Sequence, residues 1–243
     1  VRSSAASDVY KRQASSLDEQ LKNYVAPTYE DYYVDIASWD QRNQWNLANV
    51  HDPTVVLAED GYYYMYQTDA SYGNAHTAGG HFHGRRSKDL VNWEHRPVAI
   101  APDAFGTIFS GSAVIDHHNT AGFGAGAIVA IYTQNGDRQV QSMAYSLDNG
   151  KTFKKYARNP ILTSTQRDFR DPKVIWHEDT KKWIMILAVG QEMQIYSSSD
   201  LKDWTLESKF GEGQGAHGGV WECPDLIELS LIHISEPTRQ AEI

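Results

Sequence analysis

Short apolar runs rich in β-branched and aromatic residues cover most of the chain, and they predict β-strands. TVVLAEDGYYYMYQT contains two such runs around an Asp-Gly turn. Similar apolar runs with polar turns occur in AIVAIYT, KVIWHEDTKKWIMILAV and MQIYSSS. None of these stretches has apolar residues repeating at the 3.6-residue period of a helix with capping residues at its ends. Only SSLDEQLKNYV, near the start, predicts a short helix. The pattern therefore predicts an all-β fold.

A unit made of a strand, a serine, an acidic turn and an aromatic residue recurs about every 50 to 60 residues, the length of one four-stranded blade of a β-propeller. Its copies are SKDLVNWE at 87–94, SLDNGKTF at 146–153 and SSDLKDW at 198–204. A β-sandwich would also supply many strands and turns. Blades are favoured because acidic motifs recur in step with this unit.

Those motifs combine an acid with a proline beside an apolar strand: HDP at 51–53, RDP at 170–172 and ECP at 222–224. A single Asp-Pro pair usually marks only a turn. In a propeller, however, the inner strands of successive blades converge on the axis. We therefore expect Asp52, Asp171 and Glu222 to meet in one pocket.

A cluster of carboxylates suits the hydrolysis of a glycosidic bond, in which one acid protonates the leaving oxygen and another attacks or activates water. Glu222 is the candidate acid, because its neighbours Trp221 and Cys223 would disfavour ionisation. Arg170 is expected to hold Asp171 ionised.

Composition narrows the class of protein. With 243 residues, of which 41% are hydrophobic and 22% charged, the chain can form one large globular domain. A net charge of −9 argues against nucleic acid as a partner. Membrane insertion is not expected, because no apolar run approaches the roughly 18 residues of a membrane span. Seven Trp and fourteen Tyr suit a cleft that stacks on sugars, so an oligo- or polysaccharide is the expected partner.

Neither a metal nor a cofactor is predicted. His76, His81 and His83 lack a placed carboxylate partner and are interpreted as loop residues. The glycine-rich stretches precede no helix and carry no Gly-Lys-Ser/Thr, so they do not predict a phosphate site. The single cysteine leaves the redox compartment open, and the oligomeric state is open as well.

From about residue 93 to 228 the chain resembles glycoside hydrolase family 32, which comprises invertases, levanases and inulinases. The resemblance rests on HRPVAIAPD, FSGSAVID, DNGKTF, DFRDPKVIWHE and GGVWECPDL. It implies a five-bladed β-propeller that hydrolyses β-fructofuranosides such as levan, inulin or sucrose with retention. We expect a bacterial protein that is secreted or periplasmic.

The resemblance also implies roles for individual residues. Asp52 would be the nucleophile, Asp171 the transition-state stabiliser and Glu222 the acid/base. Phe109 and Ser110 would line the fructose subsite. The remaining candidates for substrate binding are Gln67, which matches a family-32 strand ending in Tyr-Gln but also suits a structural role, and Arg170, Trp221 and Cys223.

The first part of the chain, about 40–94, departs from that pattern. WNLANVHDPTVV has no Asn before its Asp and no Asn-Gly after its Pro, and with GHFHGRRSKDLVNWE it resembles glycoside hydrolase family 43, the arabinanases and xylosidases. That family shares the propeller, but Asp52 would then be the general base of an inverting reaction. Two origins stay open: a splice of two genes near 87–95, or a natural divergent member.

The two ends resemble translated sequencing adapter, through DVYKRQ at 8–13 and LSLIHI at 229–234. Residues 1–13 and 229–243 are therefore expected to be adapter-derived tails. Residues 14–228 would be a partial propeller of three blades and the first strand of a fourth. Such a fragment is expected to be inactive, or at most to bind sugar.

Overall fold

The computed structural model describes residues 50–69 and 81–228. The helix predicted at 15–25, the two tails and His76 lie outside these ranges. Within them the chain forms thirteen β-strands and no helix, so the described part also has no helix that could cross a membrane.

The strands form three antiparallel sheets in chain order. The first sheet contains β1 (Val50–Leu57), β2 (Tyr63–Asp69), β3 (His81–Ser87) and β4 (Glu94–Ile100). The second contains β5 (Thr107–Asp116), β6 (Ala127–Asn135), β7 (Gln139–Ser146), β8 (Lys154–Lys155) and β9 (Leu162–Thr163), with β8 and β9 both paired to β7. The third contains β10 (Phe169–His177), β11 (Lys182–Val189), β12 (Glu192–Ser198) and β13 (Thr205–Phe210). These sheets are the predicted blades.

Burial follows the position of a strand in the stack of blades. β6 lies in the middle blade, and eight of its nine residues are buried because a blade covers each face. β13 lies at the outer edge of the third blade, and all six of its residues are exposed. A continuous apolar run therefore marks a strand covered on both faces, as expected for a packed sheet.

Two apolar interfaces hold the blades together. Phe82 of the first blade meets Tyr132 of the second edge to face, with ring centroids 5.7 Å apart. Between the second and third blades, buried residues from β6, β7, β10 and β11 form one core: Val129, Ile131, Met143, Phe169, Val174, Met185 and Leu187. Burial of this apolar surface is the main force that fixes the angle between blades.

The serine and aspartate of the repeated unit form the same turn in every blade. The serine hydroxyl donates to the aspartate at 3.0 Å from Ser87 to Asp89, 2.7 Å from Ser146 to Asp148 and 3.1 Å from Ser198 to Asp200. Backbone N–H groups of the turn also donate to each aspartate. The repeat in the sequence is therefore a repeat in the structure.

The innermost strands β1, β5 and β10 are each interrupted by a β-bulge at corresponding places. The pairing breaks between His51 and Thr54, between Ile108 and Gly111, and between Arg170 and Lys173. A bulge redirects side chains and is common beside active sites. Here the bulges carry the HDP motif, Phe109 with Ser110, and the RDP motif.

Hydroxyl groups connect these three inner strands. The backbone N–H of Ala113 donates to Thr54 Oγ1 at 3.2 Å, and that of Val174 donates to Ser112 Oγ at 3.0 Å. The first and second blades thus each provide one hydroxyl that accepts from the backbone of the next blade, which fixes the three bulges relative to one another.

The expected first strand of a fourth blade is not formed in the described residues. Residues 220–228 have no regular secondary structure, because a strand needs a hydrogen-bonded partner and no described strand pairs with this segment. Other contacts hold it: Trp221 N donates to Gly190 O at 2.7 Å, and Lys173 Nζ lies 3.0 Å from Asp225 Oδ1.

Candidate active site

Residues of all three acid-and-proline motifs line one cavity of about 150 Å³. Asp52 enters it from β1, Ser110 from β5 and Asp171 from β10, and Cys223 closes it from the segment after β13. Glu222 and Arg170 do not line this cavity, but each is adjacent in sequence to a residue that does.

Asp52 is held by two donors from other parts of the fold. Ser110 Oγ donates a short hydrogen bond to Asp52 Oδ2, and Cys223 Sγ donates to Oδ1 at 3.4 Å. Each carboxylate oxygen thus has a donor, which fixes the orientation of the group. Ser110, predicted to line the fructose subsite, therefore also orients the candidate nucleophile.

Asp171 is buried, and its carboxylate accepts from the segment opposite. The backbone N–H of Cys223 donates to Asp171 Oδ2 at 2.9 Å, while Asp171 N donates to Thr133 Oγ1 at 3.0 Å. Burial raises the pKa of Asp171, and the charges of Asp52 and Glu222 add to this, whereas the Cys223 amide and Arg170 oppose it. Arg170 therefore favours the ionised form of Asp171, but desolvation outweighs this effect and the pKa is raised overall.

Glu222 is bound by a cation instead of being enclosed by apolar groups. Its side chain is 44% exposed, and Oε1 accepts from Arg170 Nε at 3.1 Å and from Nη2 at 3.0 Å. Trp221 instead packs against the loop after β13, where its Nε1 donates to Ala216 O, and the Cys223 thiol lies beside Asp52 and Asp171. The predicted apolar frame around Glu222 is therefore not formed among the described residues.

The Cys223 thiol lies between two carboxylates, 3.4 Å from Asp52 Oδ1 and 3.7 Å from Asp171 Oδ2. Burial and these two negative charges raise the pKa of Cys223, so its sulfur keeps the proton that it donates. Cys223 acts here as a hydrogen-bond donor, not as a nucleophile.

Three other predicted binding residues do not line the cavity. Gln67 is buried within β2, and Phe109 is half-buried in the bulge of β5. Trp221 packs over the glycine-rich loop after β13, where its Nε1 donates to Ala216 O at 2.9 Å. Sequence reasoning missed Asp168 and Gln139, which contact Arg170. DFRDP places Asp168 beside the motif, but no signal in the sequence points to Gln139.

Two carboxylates from separate blades thus line one cavity, with a glutamate on the adjoining segment, an arrangement that suits the paired acids of glycoside hydrolysis. The glycosyl hydrolases family 32 N-terminal domain matches residues 43–240, and the chain belongs to this family. The match includes residues 43–94, the part expected to resemble family 43, and it runs through 87–95, where a splice was one of the two expected origins.

Curated relatives agree with this assignment. The chain is similar to a levanase of Bacillus subtilis, at 52% identity over 201 residues that cover 79% of this chain and 30% of the relative. It is 46% identical over 180 residues to an invertase of Debaryomyces hansenii, covering 70% of this chain and 33% of that one. The chain thus spans about a third of the length of these relatives.

Among solved structures, the chain is similar to the β-fructofuranosidase from Schwanniomyces occidentalis complexed with fructosyl-erythritol. The TM-score is 0.69 at 38% identity, and the match covers 75% of this chain and 38% of that one. The exo-inulinase from Aspergillus awamori matches with a TM-score of 0.64 at 36% identity, covering 72% and 40% of the two chains. These structures confirm the predicted all-β propeller fold.

Proposed function

We propose that the protein to which this chain belongs hydrolyses β-fructofuranosides with retention of configuration. One observation carries the proposal: Asp52 and Asp171 both contact Cys223, the residue that follows Glu222. Two carboxyl groups from distant strands thus line one small cavity, and Glu222 is adjacent in sequence to the residue that contacts both. The levanase and invertase relatives and the fructosyl-erythritol complex of a similar structure support a fructosyl substrate.

The proposed reaction has two steps. Glu222 gives its proton to the leaving oxygen while Asp52 attacks the anomeric carbon, which forms a covalent fructosyl-enzyme. A water molecule then attacks that carbon as Glu222 takes its proton, and the bond to Asp52 breaks. Donors on both oxygens of Asp52 hold the nucleophile in place before the attack.

Asp171 is proposed to accept hydrogen bonds from fructosyl hydroxyl groups and to stabilise the positive charge that develops on the sugar. Its buried position favours this role, because electrostatic interactions strengthen where water is excluded. A cavity of about 150 Å³ lies below the range of drug-sized pockets and suits a single sugar ring.

Two finer proposals concern the origin of the chain. As the alternative to a natural divergent member, residues 40–94 would derive from a family-43 gene joined near 87–95; in that alternative, and not in the retaining reaction above, Asp52 would be the base of an inverting hydrolase. Residues 1–13 and 229–243 would derive from sequencing adapter. The motif differences around HDP support the first proposal, and the resemblance of DVYKRQ and LSLIHI to translated adapter supports the second. Sequencing the coding DNA across 87–95 and both ends tests them.

The test of function uses a chimera in which residues 50–228 replace the matching segment of the Bacillus subtilis levanase. We expect it to release fructose from levan, inulin or sucrose, and an Asp52→Asn chimera to lose at least about a hundredfold in kcat. We expect the 243-residue chain alone to be inactive, because its described blades do not close a ring. A folded chimera that releases arabinose or xylose from their polymers but no fructose would contradict the proposal.

A further inference from the structure

The WECPD segment (residues 221–225) lies alongside β10 in a fixed register. Three contacts join the two, and each links a residue to the one 52 positions later: Arg170 to Glu222, Asp171 to Cys223 and Lys173 to Asp225. The prolines of the two motifs, Pro172 and Pro224, correspond at the same spacing. RDPK and ECPD are therefore matched residue by residue.

No described strand pairs with the WECPD segment, so its register depends on individual contacts. Backbone N–H groups hold its start and its middle, at Trp221 and Cys223. Pro224 has no N–H group to donate, so the backbone cannot continue this pattern. Beyond the proline, the contact with β10 is made by the side chains of Lys173 and Asp225. This ion pair therefore holds the end of the segment.

The ion pair is formed by a carboxylate that the backbone also fixes. Lys173 Nζ lies 3.0 Å from Asp225 Oδ1, and the same oxygen accepts from Leu226 N at 2.8 Å. Burial raises the pKa of Asp225, but the hydrogen bonds from Lys173 and Leu226 outweigh it and lower the pKa overall, so the carboxyl is ionised at neutral pH. Both partners line the catalytic cavity. The pair therefore borders the site without being one of its three acids.

We propose that Lys173 is a positioning residue whose ion pair with Asp225 keeps the WECPD segment in register with β10 and thereby holds Glu222 in place for proton transfer. The inference rests on the proposed function, in which Glu222 is the acid/base. The side chains of Lys173 and Asp225 are 34% and 61% exposed, and ion pairs of this kind add little to global stability. Lys173 therefore controls a local opening of the segment, not the unfolding of the chain.

Cys223 reports on this opening, because it is the only cysteine in the 243-residue sequence and lies within the segment. Burial and the charges of Asp171 and Asp52 raise the pKa of its thiol, so the thiol stays protonated and reacts slowly while the segment is in place. The test measures the rate at which the 243-residue chain reacts with a chromogenic aromatic disulfide. With Lys173→Met we expect a rate about two- to fivefold higher, the range that a partly exposed ion pair gives, with little change in Tm.

The sign of this change separates movement from charge. Loss of a nearby cation disfavours the thiolate and would by itself slow the reaction, so a faster reaction requires the thiol to leave its place. Lys182→Met is the matched control, because it removes a lysine 3.9 Å from Glu207 at the other end of the third blade, and it should leave the rate unchanged. An unchanged or slower reaction in Lys173→Met would overturn the proposal, and so would the same increase in Lys182→Met.

Asp225→Asn removes the other partner at an exposed position. Alone it should also speed the reaction, and in the Lys173→Met background it should add little, because the ion pair is already broken. Additive effects of the two substitutions would contradict a shared role. If Lys173→Met did not fold, an unchanged rate in Asp225→Asn would overturn the proposal, and loss of the folded state in both variants would make the pair purely structural.

A kinetic measurement connects the register to Glu222. In the levanase chimera, Lys173→Met should lower kcat/KM on sucrose about two- to fivefold but change it little on an aryl fructoside, whose good leaving group needs less protonation. Equal losses on both substrates would indicate a purely structural role and would overturn the proposal. Glu222→Gln is measured beside it: if that variant shows no difference between the substrates, the acid role of Glu222 fails, whereas the thiol rates still test the register.

Discussion

The backbone N–H of Cys223 donates to Asp171 Oδ2 at 2.9 Å, and this bond joins the third blade to the segment that follows it. The acceptor is a buried carboxyl group whose pKa is raised, mainly by loss of solvent. The site therefore places a group that is costly to ionise at the point where two parts of the fold meet.

Asp171→Asn should stabilise the 243-residue chain at neutral pH. A carboxyl whose pKa is raised on folding stabilises the folded state below its unfolded pKa of roughly 4, and that contribution is lost as the pH rises through the folded pKa. Asn removes the cost of ionisation and can still accept from Cys223 N. We expect a higher Tm at pH 7, by on the order of 1 kcal/mol in unfolding free energy, and a smaller difference near pH 4.

Thermal unfolding followed by circular dichroism between pH 3 and 8 measures this effect. Asp179→Asn, in an exposed turn, controls for the change in net charge. A lower Tm for Asp171→Asn at pH 7 would mean that ionised Asp171 stabilises the fold, against the raised pKa.

Glu222→Gln in the levanase chimera should lose roughly 10²- to 10⁴-fold in kcat on sucrose, because the leaving oxygen then has no proton donor. An aryl fructoside with a good leaving group needs less protonation, so its first step should lose much less. Glu207→Gln, on the exposed strand β13, is the matched control. Equal losses on both substrates would remove the acid role from Glu222.

The stereochemistry of the product distinguishes the two roles proposed for Asp52. Carboxyl groups about 5 to 5.5 Å apart give a nucleophile and retention, whereas roughly 6.5 to 9.5 Å leaves room for water and gives inversion. We expect retention, which NMR detects as the first anomer released by the chimera. Inversion would instead assign Asp52 the family-43 role of general base.

Gly211→Ala should displace Trp221. Gly211 has a φ of 121°, and a Cβ there would lie 2.6 Å from Trp221 Cζ3 and 3.2 Å from Gln191 O. Because Trp221 precedes Glu222, we expect changed tryptophan fluorescence and at least about a tenfold loss of kcat in the chimera, since small displacements of catalytic groups are costly.

Gly213→Ala is the comparison for that substitution. Gly213 lies in the same loop at a φ of 70°, and its Cβ would meet no atom within 4 Å. It therefore tests the cost of a positive φ without the clash. If the two variants lost the same activity and fluorescence, the contact with Trp221 would not matter for Glu222.

Residues 14–228, expressed alone, should self-associate. Every residue of edge strand β13 is exposed, and Val55, Leu57 and Phe210 expose about half of their surface. Open strand edges and large apolar faces promote association. Light scattering after size-exclusion chromatography, together with an assay for fructose release from sucrose and levan, measures this. A monodisperse monomer with ordinary turnover would refute the expectation.

The blades could be predicted from the sequence because their signals are local. The apolar run of β6 and the turn of Ser146 and Asp148 each lie within a few residues. The sequence also predicted that Asp52 and Asp171 would lie close together, because their proximity depends only on how blades repeat around an axis.

The details of the site could not be predicted, because they depend on contacts between distant residues. Arg170 was expected to act on its neighbour Asp171, yet its guanidinium reaches Glu222, 52 residues away. Gln139 binds Arg170 across 31 residues without any motif. Within the described residues no strand forms after Glu222, which reflects the same limit, because strand formation requires a pairing partner.

The backbone conformation at the site restricts which residue types can occupy three of its positions. Asp52, Asp171 and Cys223 each precede a proline, and their φ values are 52°, 62° and 51°. Aspartate and asparagine enter this left-handed region more readily than most residues, whereas branched side chains are disfavoured there. Asparagine at position 52 or 171 should therefore keep the bulge unchanged while removing the charge, so these variants are suited to crystallographic trapping of an intact, uncleaved sugar.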